Sequence, residues 1–439
     1  MKRPFFFHCK ILLISVLGLS TFTSCSTYKT ANKSFKTSNA FTQGFAGLAV
    51  YDPSQQKMIY EHNAHKYFTP ASNIKLFSLY TGLKILGDSV PALKYEVRGD
   101  SLIFTGTGDP SFLNPDLKES LVFEFLKARE EQLYYLPSSY TEKYFGPGWS
   151  WDDFNSYYSV ERTPFPVYGN RVSFEFPSGE KSPTVTPQIF RDSVRLNDNM
   201  EGFRGVRRDM LSNNFKYSPG LLQRSAPQQV PFKYSTQLLV NILKDTLQKE
   251  IVILNDPAIE FRNPKTLYSI PVDSMYKRMM EVSDNFIAEQ ILLMAGGVIA
   301  DTLKTGIAID HMLENHLQDL PDAPQWVDGS GLSRYNLVTP RAMIQLLLKI
   351  QKEIPQERLF NLLATGGKSG TLKTSYVAPQ PYIFAKTGTL RNNHSLSGYL
   401  RAKSGKILIF SFMNSNYTVP TAEIKTQMEL ILRDFYEKH

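Results

Sequence analysis

The sequence predicts an α+β protein, and three features of the chain support this class. Strand-like hairpins occur near both ends of the body, amphipathic periodicity dominates from about residue 268, and a last helix precedes the C-terminus. Between residues 90 and 265, short strand-like pieces alternate with turns rich in Pro, Gly, Asn and Asp. Helices and hairpins that are segregated along the chain are typical of α+β domains. The strand-rich segment 90–265 therefore looks like an insertion of one or two domains into a first domain.

The N-terminal segment has the pattern of an export signal. Three basic residues precede the apolar run 11–22, which is too short to span a bilayer as a mature helix. The run ends in Phe-Thr-Ser before Cys25, which resembles a bacterial lipoprotein cleavage site. We therefore predict a signal peptide over residues 1–24 and a lipid on the sulfur of Cys25. An ordinary secretory signal is the alternative, and both interpretations predict an exported protein of the cell envelope or periplasm.

Residues 25–44 are polar and are predicted to form a flexible tether between the lipid anchor and the body. The chain has a net charge of +8, but three basic residues lie in the signal segment and three in the tether. Residues 45–439 therefore carry only +2, and the absence of a basic stripe there argues against nucleic-acid binding. The two cysteines exclude a disulfide framework and a four-cysteine zinc site.

The body begins with a predicted hairpin. Strand-like residues 45–51 and 57–61 flank an Asp-Pro-Ser turn, and a strongly apolar helix follows from Ser72 to Leu86. The later periodicity predicts helices over 272–295, 297–316, 340–351 and 421–436, and strands over 382–385, 395–402 and 406–413. The last two strands flank a Lys-Ser-Gly turn and should form a second hairpin.

A serine nucleophile activated by a lysine is the chemistry that the residues support best. Ser-x-x-Lys at a helix start puts hydroxyl and amine on one face, and a desolvated lysine can act as a base without histidine. The motif occurs five times, but only Ser72-x-x-Lys75 opens an apolar helix after a hairpin. Ser274, near another helix start, is the main competitor. No Gly-x-Ser-x-Gly or His-Glu-x-x-His motif occurs, and no metal or cofactor is expected.

Two further motifs follow the Ser-x-x-Lys pair along the chain. Ser283-Asp-Asn285 lies in the helical region, and Lys386-Thr-Gly388 follows a strand-like Tyr-Ile-Phe-Ala segment. An edge strand can present a lysine, a hydroxyl and a backbone N–H to a substrate, and Gly388 permits close approach of the backbone. Each motif alone is near chance, whereas the ordered triple, each member on its expected element, is much more specific.

The ordered triple resembles the serine penicillin-recognising enzymes, which comprise the penicillin-binding proteins and β-lactamases. Within them, several segments are similar to the D-Ala-D-Ala carboxypeptidase/endopeptidase family, the class C low-molecular-mass penicillin-binding proteins. These segments are 68–75, 106–110, 148–153, 328–336 and 397–399. The resemblance implies a penicillin-binding transpeptidase-like domain over 45–89 and 266–439, with an antiparallel sheet flanked by helices. The mostly β insertion over 90–265 also resembles this family rather than the compact β-lactamases.

The resemblance implies a role for each motif residue in catalysis. Ser72 would attack the carbonyl between two D-alanines, and neutral Lys75 would take its proton. Lys386 would be a second cation that helps keep Lys75 deprotonated. Ser283 would relay a proton to the leaving amine, and Asn285 would hold both Lys75 and the substrate amide.

Substrate binding is assigned by the same resemblance to the third motif. Thr387 and Lys386 would bind the terminal carboxylate, and the N–H groups of Ser72 and Thr389, with Gly388 beside them, would form the oxyanion hole. The implied substrates are peptidoglycan stem peptides and their D-Ala cross-links. β-Lactams would be covalent inhibitors, and the lipid would attach the protein to a membrane. The sequence favours neither removal of terminal D-alanine nor cleavage of cross-links.

Two other functions remain open at this point. A β-lactamase would use the same machinery with faster deacylation, and a catalytically inactive envelope lipoprotein would use the scaffold to bind cell wall. From the residues alone, Ser72 could be an N-cap, Ser283-Asp-Asn285 a helix cap, and Lys386-Thr-Gly388 an ordinary strand end. The Gly-rich segment 328–336 is interpreted as a structural loop in preference to a catalytic one.

Overall fold

A computed structural model of the chain describes residues 28–117, 121–178, 180, 182–197, 205–218 and 226–439. The predicted signal peptide and Cys25 lie outside these residues, so both stay predictions. Within the described ranges, no helix is long and apolar enough to cross a membrane.

Helices and strands are arranged along the described chain as an α+β protein. The α-helices are α1 Lys29–Thr37, α2 Asn39–Thr42, α3 Lys75–Ile85, α4 Leu121–Lys127, α5 Thr236–Leu247, α6 Val272–Glu281, α7 Asn285–Ala300, α8 Thr305–Asn315, α9 Pro340–Glu353, α10 Gln356–Leu362 and α11 Thr421–Lys438. The strands are β1 Phe45–Asp52, β2 Lys57–His62, β3 Ser89–Arg98, β4 Ser101–Gly106, β5 Gln132–Tyr135, β6 Arg171–Glu175, β7 Thr184–Thr186, β8 Val194–Leu196, β9 Val206–Arg208, β10 Phe215–Tyr217, β11 Gln228–Pro231, β12 Ile251–Ile253, β13 Lys265–Pro271, β14 Ala364–Thr365, β15 Ile383–Leu390, β16 Asn393–Arg401 and β17 Ile407–Ser415. The predicted α+β class is confirmed.

A six-stranded sheet with the order β14-β15-β16-β17-β1-β2 forms the centre of the first domain. All its neighbouring strands are antiparallel, and the pairing of β1 with β17 joins the two ends of the chain. Side chains alternate between the two faces of a strand, so the sheet carries a hydrophobic core on each face. Val50 and Phe412 pack with α1 and α11 on one face, whereas Ala49 and Met413 pack with α3, α7 and α9 on the other.

The stretch of chain from β3 to β12 contributes the residues of a separate hydrophobic core. Its largest sheet has the order β12-β5-β4-β3-β13, and the sheets β8-β10-β9 and β11-β6-β7 complete the strands of this region. Within the described part of residues 90–265, the only α-helices are α4 and α5, so the region is mostly β. Because β3 and β13 are antiparallel neighbours, the chain leaves and re-enters the first domain at adjacent strands. The exact domain boundaries stay a prediction.

The segment predicted to be a flexible tether differs from that expectation in its described part. From residue 28 onward the chain forms α1 and α2, which pack against the sheet and α11. Phe35 is only 8% exposed, and its ring stacks on His62 with a centroid separation of 4.0 Å. The tether interpretation is wrong here because Ala31 and Phe35, one turn apart among polar residues, give α1 a buried apolar face.

The helix predicted over 272–295 is broken into α6 and α7. Ser283 lies at the break with a left-handed φ of +68°, and Asp284 caps α7 by accepting a hydrogen bond from the Ile287 N–H at 3.2 Å. The apolar periodicity runs through the break, so periodicity alone does not reveal it. The strand predicted over 382–385 is likewise longer than expected, because β15 continues through the Lys-Thr-Gly motif to Leu390.

Replacing Phe35 tests whether α1 belongs to the folded body. We expect Phe35→Ala to lower the free energy of unfolding by about 3 kcal/mol, because a buried aromatic ring is removed from a packed cluster. Lys33→Ala, at an exposed position of the same helix, should change it by less than about 0.5 kcal/mol. Denaturant unfolding measures both values, and equal, negligible effects would show that α1 does not pack as described.

Candidate active site

Ser72 lies in a single 3-10 turn, Ala71–Ile74, that leads directly into α3. The preceding residue, Ala71, has a left-handed φ of +48°, so the backbone bends sharply before the serine. Ser72 is partly exposed and lines a cleft of about 920 Å³ between the first domain and the inserted region. The hydroxyl is therefore accessible to a substrate, while the helix behind it is buried.

Lys75 is completely buried one turn after Ser72. Its Nζ lies 2.9 Å from Ser72 Oγ, 2.6 Å from Asn285 Oδ1 and 2.6 Å from the Ser330 carbonyl oxygen. Burial lowers the pKa of Lys75 to about 8, against the opposing effect of Asp328 and weaker contributions from Glu289 and Asp284. A substantial fraction of this lysine is therefore neutral near physiological pH.

The three contacts of Lys75 specify where its lone pair points. A neutral amine has two N–H donors and one lone pair, and the two carbonyl oxygens of Asn285 and Ser330 can only accept. When both N–H groups donate to these acceptors, the lone pair is directed at the Ser72 hydroxyl, 2.9 Å away. This is the geometry in which an amine can remove a proton from a serine.

Asn285 is held in the orientation that this arrangement requires. Its Nδ2 donates to the Tyr158 carbonyl oxygen at 2.9 Å, so Oδ1 is the atom that faces Lys75. Asn285 is the first residue of α7, and the break before it turns Ser283 toward the opposite side of the site. The Ser-Asp-Asn motif thus contributes to two different lysines.

Lys386, on β15, is the second completely buried lysine. Its Nζ donates to Ser283 Oγ at 2.9 Å and to the Thr387 carbonyl oxygen at 2.6 Å. Burial lowers its pKa well below the usual value, and the nearby Lys75 lowers it further. Asn73, beside Ser72, donates to the Lys386 carbonyl oxygen at 2.8 Å and so joins the strand to the Ser72 turn.

One face of β15 lies directly against the Ser72 turn at Gly388. Pairing with β14 ends at Ala385, so the strand is open from Lys386 onward. A Cβ atom at Gly388 would lie 2.5 Å from the Pro70 carbonyl oxygen and 2.9 Å from the Ser72 nitrogen, a separation that only glycine permits. Thr387 and Thr389, on either side of Gly388, line the cleft.

The polar contacts of these two threonines differ. The Thr387 hydroxyl donates to Thr371 Oγ1 at 2.8 Å, and Thr371 also lines the cleft. Thr389 Oγ1 lies 2.8 Å from His394 Nδ1 on the neighbouring strand β16. The Thr387 and Thr371 hydroxyls therefore form a pair at the edge of the cleft, beside the buried Lys386.

The structure brings together all eight motif residues that the sequence analysis selected, and it adds others that were missed. The Ser330 carbonyl belongs to the loop interpreted as purely structural, yet it contacts Lys75 directly. The Tyr158 carbonyl and the Thr371 hydroxyl had no signal in the sequence, since a backbone acceptor carries none and a lone threonine carries little. The competitor Ser274 is exposed on α6 and does not line the cleft.

Among the described residues, neither the lining of a second cleft nor a cluster of metal-ligand side chains points to another catalytic centre. A larger cleft, of about 1120 Å³, is lined by residues of β3, β4 and α7, but it contains none of the motif residues. In the part of the chain that the structure describes, no three His, Cys, Asp or Glu side chains cluster as metal ligands would. The smaller cleft therefore holds the chemistry described above.

Comparisons with known proteins identify the family of the chain. Residues 32–435 match the D-Ala-D-Ala carboxypeptidase 3 (S13) family. The D-alanyl-D-alanine carboxypeptidase DacB of Haemophilus influenzae is 23% identical, over 93% of this chain and 93% of that protein. The crystal structure of penicillin-binding protein 4 (DacB) from H. influenzae has a TM-score of 0.71 at 19% identity, covering 93% of this chain and 98% of that one. Its complex with a β-lactam has a TM-score of 0.64 at the same identity and coverage.

The family match covers nearly the whole described body, including both the first domain and the inserted region. The predicted family and enzyme class are confirmed. The chain therefore belongs to the D-Ala-D-Ala carboxypeptidase 3 (S13) family and is a serine-type D-Ala-D-Ala carboxypeptidase.

Proposed function

We propose that Ser72 is the nucleophile of this carboxypeptidase and that Lys75 is its general base. The observation that carries the proposal is the position of the buried Lys75 Nζ, 2.9 Å from Ser72 Oγ and 2.6 Å from two oxygens that can only accept. In the neutral amine these two acceptors take both N–H groups, and the lone pair then faces Ser72 Oγ. Ser72 attacks the carbonyl carbon between two D-alanines, and its proton passes to Lys75. The Ser72 and Thr389 N–H groups stabilise the resulting oxyanion.

The leaving D-alanine receives its proton from the second half of the site. Ser283 Oγ accepts a hydrogen bond from Lys386, so a proton delivered by the Ser283 hydroxyl to the leaving amine is replaced from Lys386. Water then hydrolyses the ester on Ser72, which releases the shortened peptide and restores the hydroxyl.

The terminal carboxylate of the substrate gives the buried Lys386 of β15 a role. We assign carboxylate binding to the Thr387 and Thr371 hydroxyls, which meet at the cleft, and to Lys386 beside them. Without substrate, burial disfavours the ammonium form of Lys386. An entering carboxylate supplies the missing negative charge and favours that form. The site thus gains an ammonium group at Lys386 when the correct substrate binds, while Lys75 stays the neutral base.

The proposed substrates are peptidoglycan stem peptides that end in D-Ala-D-Ala, together with D-Ala cross-links. β-Lactams are proposed to acylate Ser72, and the β-lactam complex of the related H. influenzae protein supports this. Export to the cell envelope, with a lipid on Cys25, is proposed from the basic residues, the apolar run and the Phe-Thr-Ser-Cys sequence at the N-terminus.

Penicillin labelling tests the identity of the nucleophile. We expect wild type to bind a fluorescent penicillin covalently and Ser72→Ala to bind none, because the ester has no oxygen to form on. With pentapeptide muropeptides, wild type should release D-alanine and Ser72→Ala should not. The matched control is Ser274→Ala, which removes the serine of the exposed Ser-x-x-Lys pair and should label like wild type. Labelling of Ser72→Ala, or its loss in Ser274→Ala, would contradict the assignment.

The pH dependence of acylation tests the role of Lys75. A base must be unprotonated, and a pKa of about 8 leaves about a tenth of Lys75 neutral at pH 7 and about nine tenths at pH 9. The second-order rate constant for penicillin acylation should therefore rise about tenfold between these pH values. Lys75→Arg, which cannot lose its proton, should abolish acylation at both. A rate constant that is flat from pH 7 to 9 would contradict this role.

A further inference from the structure

The loop of residues 328–336, called here the Asp328 loop, supplies one of the two acceptors that orient Lys75. Its Ser330 carbonyl oxygen accepts a hydrogen bond from Lys75 at 2.6 Å. The same peptide group carries the Gly331 N–H, which donates to Asp328 Oδ1 at 2.9 Å. A single peptide group therefore connects the Asp328 carboxylate to the Lys75 amine.

The Asp328 carboxylate is completely buried and is held by four N–H donors. Oδ1 accepts from the Gly331 N–H and, at 2.7 Å, from Asn336 Nδ2. Oδ2 accepts from the Ser333 N–H at 2.7 Å and from Trp149 Nε1 at 2.9 Å. All four donors are neutral groups, so none of these partners brings a positive charge to the carboxylate.

Two more contacts fix the Asp328 loop against the catalytic turn. Gly331 has a φ of +77°, and a Cβ atom there would lie 1.9 Å from the Ala71 carbonyl oxygen, so the loop backbone touches the residue before the nucleophile. The Ser330 N–H donates to Glu289 Oε1 at 2.7 Å. Both peptide groups that flank Ser330 are thus hydrogen-bonded to buried carboxylates, which fixes the direction of its carbonyl.

We propose that Asp328 is a positioning residue for acylation: it holds the Ser330–Gly331 peptide against Lys75, and its charge stabilises the ammonium that forms when Lys75 takes the Ser72 proton. The inference rests on the base role proposed for Lys75. In a Ser-His-Asp triad the carboxylate orients the base directly and stabilises its protonated form. Here the carboxylate acts through the Ser330–Gly331 peptide group. Asp328 accepts from the Gly331 N–H of that peptide, and the Ser330 carbonyl of the same peptide accepts from Lys75.

The Asp328 carboxylate also connects the Lys75 network to the wall of the cleft, through its contact with Trp149. Trp149, which donates to Asp328, directly precedes Ser150, and Asp152 and Asp153 follow in the same short segment. All three of these residues line the substrate cleft.

Other charges face Lys75 and enter any account of its protonation. Burial lowers its pKa, whereas Asp328 first, then Glu289 and Asp284, raise it. Glu289 contacts Arg162 at 3.4 Å, and Asp284 lies 3.5 Å from Arg278, so both of these carboxylates have a basic neighbour. Lys386 on β15 is the other buried lysine of the site. Asp328 is the member of this set whose carboxylate is balanced only by neutral donors.

The test is the pH profile of penicillin acylation in Asp328→Asn. We expect the maximal second-order rate constant to fall at least about a hundredfold, because the amide cannot accept from all four donors and the Ser330 carbonyl loses its fixed direction. The acid limb of the profile is the pH range in which the rate constant falls because Lys75 becomes protonated. This limb should move about one pH unit lower, because loss of a neighbouring negative charge disfavours the ammonium form of Lys75. A residue that only stabilises the loop would lower the rate without moving the limb.

Asp322→Asn is the matched control. Asp322 accepts from Arg341 and Thr339 in the same region of the chain but does not contact the Lys75 network, so its loss should leave the acid limb in place. If Asp328→Asn does not fold, Trp149→Phe tests the positioning half of the proposal alone, because it removes one donor to the carboxylate and keeps the charge. The rate constant should fall about fivefold because the Ser330 carbonyl is less firmly directed, and the acid limb should stay in place because the charge is kept.

The outcomes separate this inference from the proposed function. If wild type is not acylated at all, the proposed function fails. If wild type is acylated but Asp328→Asn keeps its acid limb or its rate constant, the positioning role of Asp328 is wrong. An unchanged rate constant in Trp149→Phe, where that variant decides, would equally overturn it.

Discussion

The complete burial of two lysine side chains is the constraint on which the site depends. Lys75 and Lys386 are both 0% exposed, and their Nζ atoms contact hydroxyl, amide and carbonyl oxygens. Burying an ammonium group without a carboxylate in contact is costly, and a lysine responds by a lowered pKa. The free energy of folding thus favours the neutral amine that acylation requires.

This constraint accounts for the way in which distant segments meet at the site. A buried amine needs acceptors for its N–H groups, and these acceptors come from segments far from Lys75 and Lys386 in the chain. Asn285 and Ser283 lie at the break between α6 and α7, and Ser330 lies in the Asp328 loop. The inserted region contributes the Tyr158 carbonyl that orients Asn285. The proposed catalytic centre is therefore assembled by both the first domain and the inserted region, although Ser72, Lys75 and Lys386 belong to the first domain.

The sequence was informative where a motif and its secondary structure coincide. Ser72 with Lys75 opens an apolar helix after a hairpin, and Lys386 lies on a strand that two further strands follow, so position and chemistry could be predicted together. The sequence was uninformative where function depends on backbone atoms or on long-range packing. The carbonyls of Ser330 and Tyr158 act whatever side chains those residues carry, and the apolar periodicity from 272 to 295 conceals the break that separates Ser283 from Asn285. The same limitation made α1 look like a tether, because Phe35 gains its significance only from partners far away in the chain.

The protonation state of Lys75 tests the central claim most directly. The protein can be labelled with lysine that carries ¹³C at Cε, and the Lys75 signal identified by its absence from Lys75→Arg. Titration of that ¹³Cε shift in the free enzyme should give a midpoint near pH 8, as expected for a buried amine hydrogen-bonded to neutral oxygens. A midpoint at or above pH 10 would mean that Lys75 is an ordinary ammonium group, and it would contradict the account of this lysine as the base that activates Ser72.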